Sequence, residues 1–174
     1  MRVFGITGPS GVGKTTLIEK LVPWLCAKGL TVSSVKHSHH GFDIDKPGKD
    51  SYRHRLAGCS EVLLVSDQRW VLQHEMRGEA AANVMDLIDR LSPCDLVLVE
   101  GWNRETMPRL LLYRADFDPA FDLTFAEGVR AVASDGPVAT ELPVFGLDDV
   151  AAIGEYILRE MGLAGRSPGS ARKP

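Results

Sequence analysis

The chain has 174 residues and a formal net charge of −3, enough length for one domain with its own core and no bulk positive charge to grip nucleic acid. Hydrophobic residues at 44% and charged residues at 25% are ordinary for a soluble globular protein, and no run approaches the roughly 18 apolar residues of a membrane span. The three cysteines, Cys26, Cys59 and Cys94, are odd in number and scattered, which argues against a disulfide framework and suits a reducing compartment. The N-terminus reaches Gly5 and Gly8 too soon for the apolar stretch of a signal peptide, so a cytoplasmic location is expected.

Along the chain, short apolar runs alternate with amphipathic stretches. Val3–Thr7 reads as a strand. Residues 14–28 read as a helix with Leu17, Leu21, Trp24 and Leu25 on one face, stopped by Gly29; Pro23 inside it predicts a kink. Leu30–Lys36 is a second strand, residues 37–50 a polar loop, and 51–58 a short helix. Glu61–Ser66 and Trp70–His74 form a hairpin around Asp67–Arg69. Residues 79–91 carry Val84, Leu87, Ile88 and Leu91 on one stripe and predict a helix. Asp95–Val99 has the look of a strand buried on both faces. Arg109–Tyr113 and Val129–Ala133 are further strands, and 147–161 a closing helix. Residues 1–163 are expected to form one nucleotide-binding domain, followed by a flexible tail over 164–174 that is small, basic and turn-rich.

Such alternation predicts βαβ units and a mostly parallel sheet, with the hairpin as an antiparallel addition at one edge. Ligands of such sheets bind at the carboxyl ends of the strands, which directs attention to residues 8–15, 36–50, 100–103 and 133–136. The first segment reads GPSGVGKT and matches the phosphate-loop pattern in full. Gly8, Gly11 and Gly13 let backbone N–H groups turn toward phosphate oxygens, with Ser10 and Val12 between them. Lys14 can reach the β- and γ-phosphates, Thr15 can ligate Mg²⁺, and Thr16 continues the helix whose N-terminus faces the anion. Motif and context together predict the three-layer α/β fold of P-loop nucleotide-binding proteins.

P-loop enzymes also need a carboxylate after a buried strand. Glu100, at the end of the DLVLVE run, is the candidate to hold a metal-bound water or orient an attacking one, and Gly101 lets the next turn come close. The segment KHSHHGFDIDKPGKDS at 36–51 is dense in ionisable groups. There Asp45 or Asp43 can assist Mg²⁺, while Lys36, His37 or Lys49 can contact an anionic partner molecule. A zinc site from His37, His39 and His40 and a plain solvated loop are the competing readings. Asp135, after the late strand, can accept two hydrogen bonds from the N1/N2 edge of guanine, although a simple turn at Ser134–Pro137 accounts for it equally well.

GPSGVGKTT, VKHSHHGFDIDKPGKDSYRHRLAG at 35–58 and DLVLVEGW at 95–102 resemble the molybdopterin-guanine dinucleotide biosynthesis protein B family, MobB, and the likeness spans most of residues 1–161. The resemblance implies GTP and Mg²⁺ binding, slow GTP hydrolysis, a homodimer, and an accessory role beside a guanylyltransferase partner that joins GMP to molybdopterin. By motif, Gly11, Gly13, Lys14, Thr15 and Thr16 would hold phosphate and metal, Glu100 would be the family's acidic residue, and Asp45 with His37–His40 its characteristic loop. The family often carries Lys shortly after the VEG glycine; here Asn103 and Arg104 stand at that place. A small-molecule kinase and a non-catalytic carrier of molybdopterin or GTP are the alternative functions. For a site completed by a second chain, Arg53, Arg55 and Arg104 are the candidate arginines, and the hairpin at 61–74 a candidate interface.

Overall fold

The computed structural model describes residues 1–38, 41–103, 105–115 and 127–165. The chain divides into two compact units, one made of Met1–His37 together with the chain from Val84 onward, the other of Ser38–Asn83. The tail expected at 164–174 lies, from residue 166 on, outside the described residues.

In the first unit, among the described residues, six strands form one sheet: β1 (Arg2–Thr7), β2 (Val32–Lys36), β5 (Leu96–Glu100), β6 (Arg109–Tyr113), β7 (Val129–Ser134) and β8 (Val144–Gly146). Their spatial order is β2-β5-β1-β6-β7-β8 and every pairing is parallel. Period-two alternation divides the strand side chains between two cores. Leu96 and Leu98 of β5 pack with Phe4, Ile6, Leu110 and Leu112, and with helices α1 (Lys14–Ala27) and α4 (Val150–Glu160). Val97 and Val99 face the other way, onto Val84 and Ile88 of α3 (Val84–Ile88) and onto Met107. Helices on both faces explain why β5 is buried at all five positions.

Helix α1 runs through Pro23 without ending, because Leu17, Leu21 and Leu25 on its inner face are all buried. That burial outweighs the helical hydrogen bond lost because proline has no backbone N–H. Gly154 of α4 leaves room for Trp24 of α1; a Cβ there would stand 2.4 Å from the indole ring. Asp149 caps α4 by accepting from the Ala152 N–H at 3.1 Å.

One expectation changes, and one strand was not foreseen. The helix expected over 79–91 shrinks to α3, whose Val84 and Ile88 are buried, whereas Glu79, Ala80 and Ala81 are exposed and bring no packing to extend it. β8 carried no sequence signal strong enough to name, being three residues after Pro143 of which Val144 and Gly146 are exposed.

The second unit contains α2 (Asp50–Leu56) and the antiparallel pair β3 (Glu61–Val65) and β4 (Trp70–His74). Among the described residues the hairpin is a two-stranded sheet of its own, hydrogen-bonded to none of the six parallel strands, where an addition at the sheet edge was expected. Its turn is held by Ser66, whose N–H donates to the Arg69 carbonyl at 2.8 Å and whose hydroxyl accepts from the Gln68 and Arg69 N–H groups. The polar part of the unit centres on Arg55, which pairs with Asp45, Asp43 and Glu75. No helix among the described residues is long and apolar enough to cross a membrane.

At the open end of the hairpin, His74 sits opposite Glu61 in register, 2.9 Å from its carboxylate, and 3.1 Å from that of Glu79. Hydrogen bonds to Glu61 and then Glu79 raise the His74 pKa above its ordinary 6.5. A raised folded-state pKa stabilises most below the unfolded value and is lost as pH climbs through the folded one. The hairpin should therefore weaken from about pH 6.5 upward. Thermal melts across that range should show the loss in the parent and a flatter profile in His74→Gln; identical profiles would refute the pairing.

Candidate nucleotide site

The phosphate loop occupies Gly8–Gly13, between the end of β1 and the start of α1. Two features fix its path. Val12 turns its side chain into the main core and is fully buried, which leaves Ser10 and Gly11 on the outside. Gly8 has φ 139°, and a Cβ there would meet the Leu112 carbonyl oxygen at 2.5 Å, so only glycine fits. The helix starts at once: the Leu17 N–H donates to the Gly13 carbonyl at 2.9 Å, and the N–H groups of the first turn keep no partner of their own within the helix.

Lys14 folds back over the loop. Its ammonium donates to the carbonyls of Gly8 at 2.8 Å and Pro9 at 2.7 Å. Burial pushes its pKa below the ordinary lysine range, Glu100 opposes that shift, and nearby Lys36 adds to it. Thr15 donates its hydroxyl to Glu100 Oε1 at 2.9 Å, and Lys36 Nζ lies 3.4 Å from both of those oxygens. Glu100 is the last residue of β5 and is buried, with its side chain 11% exposed. Two hard oxygens, one hydroxyl and one carboxylate, beside a phosphate loop are the donor set Mg²⁺ uses when nucleotide and water complete its octahedron. Thr16 is exposed on the next position of the helix.

The other candidates are distributed as follows. Gly101 has φ 77° and its N–H donates to the Ile6 carbonyl at 3.1 Å, tying the turn after β5 to β1. His37 donates its backbone N–H to the Glu100 carbonyl, and its ring lies 4.8 Å from that of Trp102. Asn103, at the place where the lysine was expected, accepts from the buried Thr7 hydroxyl at 2.6 Å. Asp135 follows β7 and stands at the same end of the sheet.

Asp45 has a different setting. It belongs to the second unit, its side chain is 1% exposed, and its two oxygens accept from Arg55 Nη2 at 2.8 Å and Nε at 3.3 Å. With its amide turned to suit, Gln73 adds a bond to the Asp45 carboxylate. The carboxylate thus offers its charge to a guanidinium, and Arg55 is held above its ordinary range chiefly by that bond. The same pairing engages Arg55 as an arginine expected to reach another chain. Among the described residues no group of three or more His, Cys, Asp or Glu side chains could hold a metal ion. His39, His40 and Arg104 lie outside the described residues.

Two arginines carry site geometry that sequence reasoning did not single out. Arg114 binds both the phosphate loop and Asp135. Arg109 is wholly buried and donates to three carbonyls: Glu127 at 2.9 Å, Trp102 and Glu105. It thereby anchors the turn that follows Glu100. The available signal was its position, a charged residue opening an apolar strand. Burial lowers its pKa, with Glu105 opposing.

A parallel sheet with a phosphate loop after β1, a basic residue folded over that loop and a carboxylate at the end of the neighbouring strand define a protein of the P-loop NTPase fold. The comparisons narrow this class. Residues 3–135 match the family MobB, described as molybdopterin guanine dinucleotide synthesis protein B. The chain is 40% identical over 156 residues to the molybdopterin-guanine dinucleotide biosynthesis adapter protein of Escherichia coli K12, covering 87% of this chain and 89% of that one. It is 39% identical over 158 residues to the Haemophilus influenzae protein of the same name, covering 89% and 86%. A crystal structure of molybdopterin-guanine biosynthesis protein B superposes with a TM-score of 0.75 at 28% identity, covering 91% of this chain and 99% of the other. The chain belongs to the MobB family.

The Arg109 clamp gives a stability test. Arg109→Met should leave three carbonyls without their donor and lower unfolding free energy by about 2–4 kcal/mol. Arg109→Lys should recover less than half, because an ammonium cannot span the fork. Denaturant melts of both variants within about 0.5 kcal/mol of the parent would refute the clamp.

Proposed function

We propose that this chain is a GTP-binding adapter that supports guanylylation of molybdopterin and hydrolyses GTP slowly in a Mg²⁺-dependent way. The observation that carries the nucleotide part is Lys14 folded over the phosphate loop beside the Thr15–Glu100 hydrogen bond. The adapter part is supported by the relatives whose names say so.

Among the described residues Lys14 and Lys36 face one carboxylate, Glu100, so this cluster is one positive charge in excess and suits an anion. A triphosphate would replace the Gly8 and Pro9 carbonyls as acceptors for Lys14, with Gly8, Ser10, Gly11, Val12, Gly13 and Thr16 supplying loop and first-turn N–H groups. Thr15 and Glu100 would hold Mg²⁺, which when bound supplies charge that offsets the β- and γ-phosphates. Glu100 keeps that polar corner oriented and is the group through which turnover responds. Gly101 and His37 shape the neighbouring turn, and Asp135 would accept from the guanine edge. Asp45, paired with Arg55, is assigned to the integrity of the second unit and not to the metal.

The exposed apolar residues of the hairpin, Leu63, Val65, Trp70 and Leu72, support a homodimer or a docking face for the guanylyltransferase. A cytoplasmic location agrees with the sequence composition.

Calorimetry and phosphate release test this reading together. Lys14→Ala should lose about 100-fold in GTP affinity, having lost two charge-assisted bonds. Glu100→Gln should bind within about fivefold of the parent yet turn over at least about tenfold more slowly. Turnover should need no acceptor molecule, which separates this reading from a kinase. Parent-like GTP affinity in Lys14→Ala would refute it, and light scattering showing a monomer at all concentrations would remove the homodimer.

A further inference from the structure

Arg114 is the first residue after β6, with the phosphate loop leaving β1 on one side and Asp135 following β7 on the other. Its Nε donates to the Val12 carbonyl at 3.0 Å, and its Nη1 to Asp135 Oδ2 at 3.0 Å. The next backbone N–H, of Ala115, donates to the other Asp135 oxygen at 3.1 Å. One planar cation thus holds two separate loops at a fixed separation. An isolated exposed ion pair contributes little, but a rigid guanidinium fork that binds a backbone carbonyl and a carboxylate together sets geometry.

Two consequences follow from elementary stereochemistry. Within a trans peptide the carbonyl and the following N–H point in opposite directions, so holding the Val12 carbonyl fixes the direction of the Gly13 N–H inside the loop. Among the described residues Asp135 is oriented by one donor on each oxygen, and each oxygen has a further lone pair to offer. That leaves a two-acceptor edge of set direction, the complement of two adjacent N–H donors on a planar base.

We propose that Arg114 is a positioning and selectivity residue that couples the phosphate loop to the base-reading carboxylate. Its action rests on the guanine-nucleotide reading above. Triphosphate seated on the loop and guanine seated on Asp135 favour one another through this one side chain, and by linkage the effect is reciprocal. A triphosphate with no base, or a base lacking donors on that edge, gains only the smaller, loop-ordering part of it.

The test uses the full chain with Mg²⁺ and calorimetric dissociation constants for GTP, ATP and inorganic tripolyphosphate. Arg114→Ala should weaken GTP about tenfold and move the GTP-to-ATP ratio toward that of Asp135→Asn. The double variant should be no worse than the more damaged single one, the mark of coupled residues. Tripolyphosphate affinity should fall less than about threefold, since Val12 keeps the loop anchored through its buried side chain. Arg114→Lys keeps the charge and loses the fork, so it should behave like the alanine variant and gives the same reading if that variant is unstable. A parent-like GTP-to-ATP ratio in the Arg114 variants, or losses that simply add in the double variant, would overturn the proposal. A parent with no preference for GTP over ATP would overturn the guanine reading and this coupling with it; a selective parent with selective Arg114 variants would overturn the coupling alone.

Discussion

The register of neighbouring parallel strands is the constraint on which the site rests. β1 lies between β5 and β6, with Ile6 opposite both Glu100 and Leu110, and Glu100 opposite Lys36 on β2. Because β5 is buried on both faces, a slip by one residue would turn its leucines and valines into each other's cores. Packing that has nothing to do with chemistry therefore holds Glu100 on the face of Leu96 and Leu98, the side on which α1 presents Thr15. The hydrogen bond between Thr15 and Glu100 is the visible result. Arg109 adds a second constraint by tying down the turn that follows.

Two lysines and one carboxylate meet beside the loop, an arrangement that would suit an anion. Lys14 satisfies its ammonium with the loop's own carbonyls, and Lys36 stands over the Thr15–Glu100 pair. Both contacts are cation-to-oxygen and both are replaceable by phosphate oxygens. Binding of an anion there would exchange these hydrogen bonds instead of creating them from solvated groups. Arg114 extends this order to Asp135, bonding the loop's Val12 carbonyl and the Asp135 carboxylate together.

The phosphate loop was legible in the sequence because its chemistry is contiguous: strand, glycines, lysine, threonine and helix follow one another without a gap. The placement of Glu100 was legible because an apolar run bounded by a carboxylate reads as a buried strand with that carboxylate at its end. Arg114 was not, because its role depends on β6 lying beside β1 and β7, a neighbour relation that no local pattern encodes. Asp45 shows the opposite difficulty. The crowded charges at 36–51 look like ligand chemistry, yet the partner that claims Asp45 is Arg55, one helix later. Likewise the strands at 61–74 were evident while their isolation from the main sheet was not, since hairpin patterning carries no information about which edge, if any, it joins.

All of this makes the position of the Lys14 ammonium the most direct witness. A crystal structure of the chain with Mg²⁺ and a non-hydrolysable GTP analogue should show Lys14 Nζ released from the Gly8 and Pro9 carbonyls and bonded to β- and γ-phosphate oxygens, with Thr15 and Glu100 at the metal. A nucleotide seated elsewhere, with Lys14 still on those two carbonyls, would contradict the account.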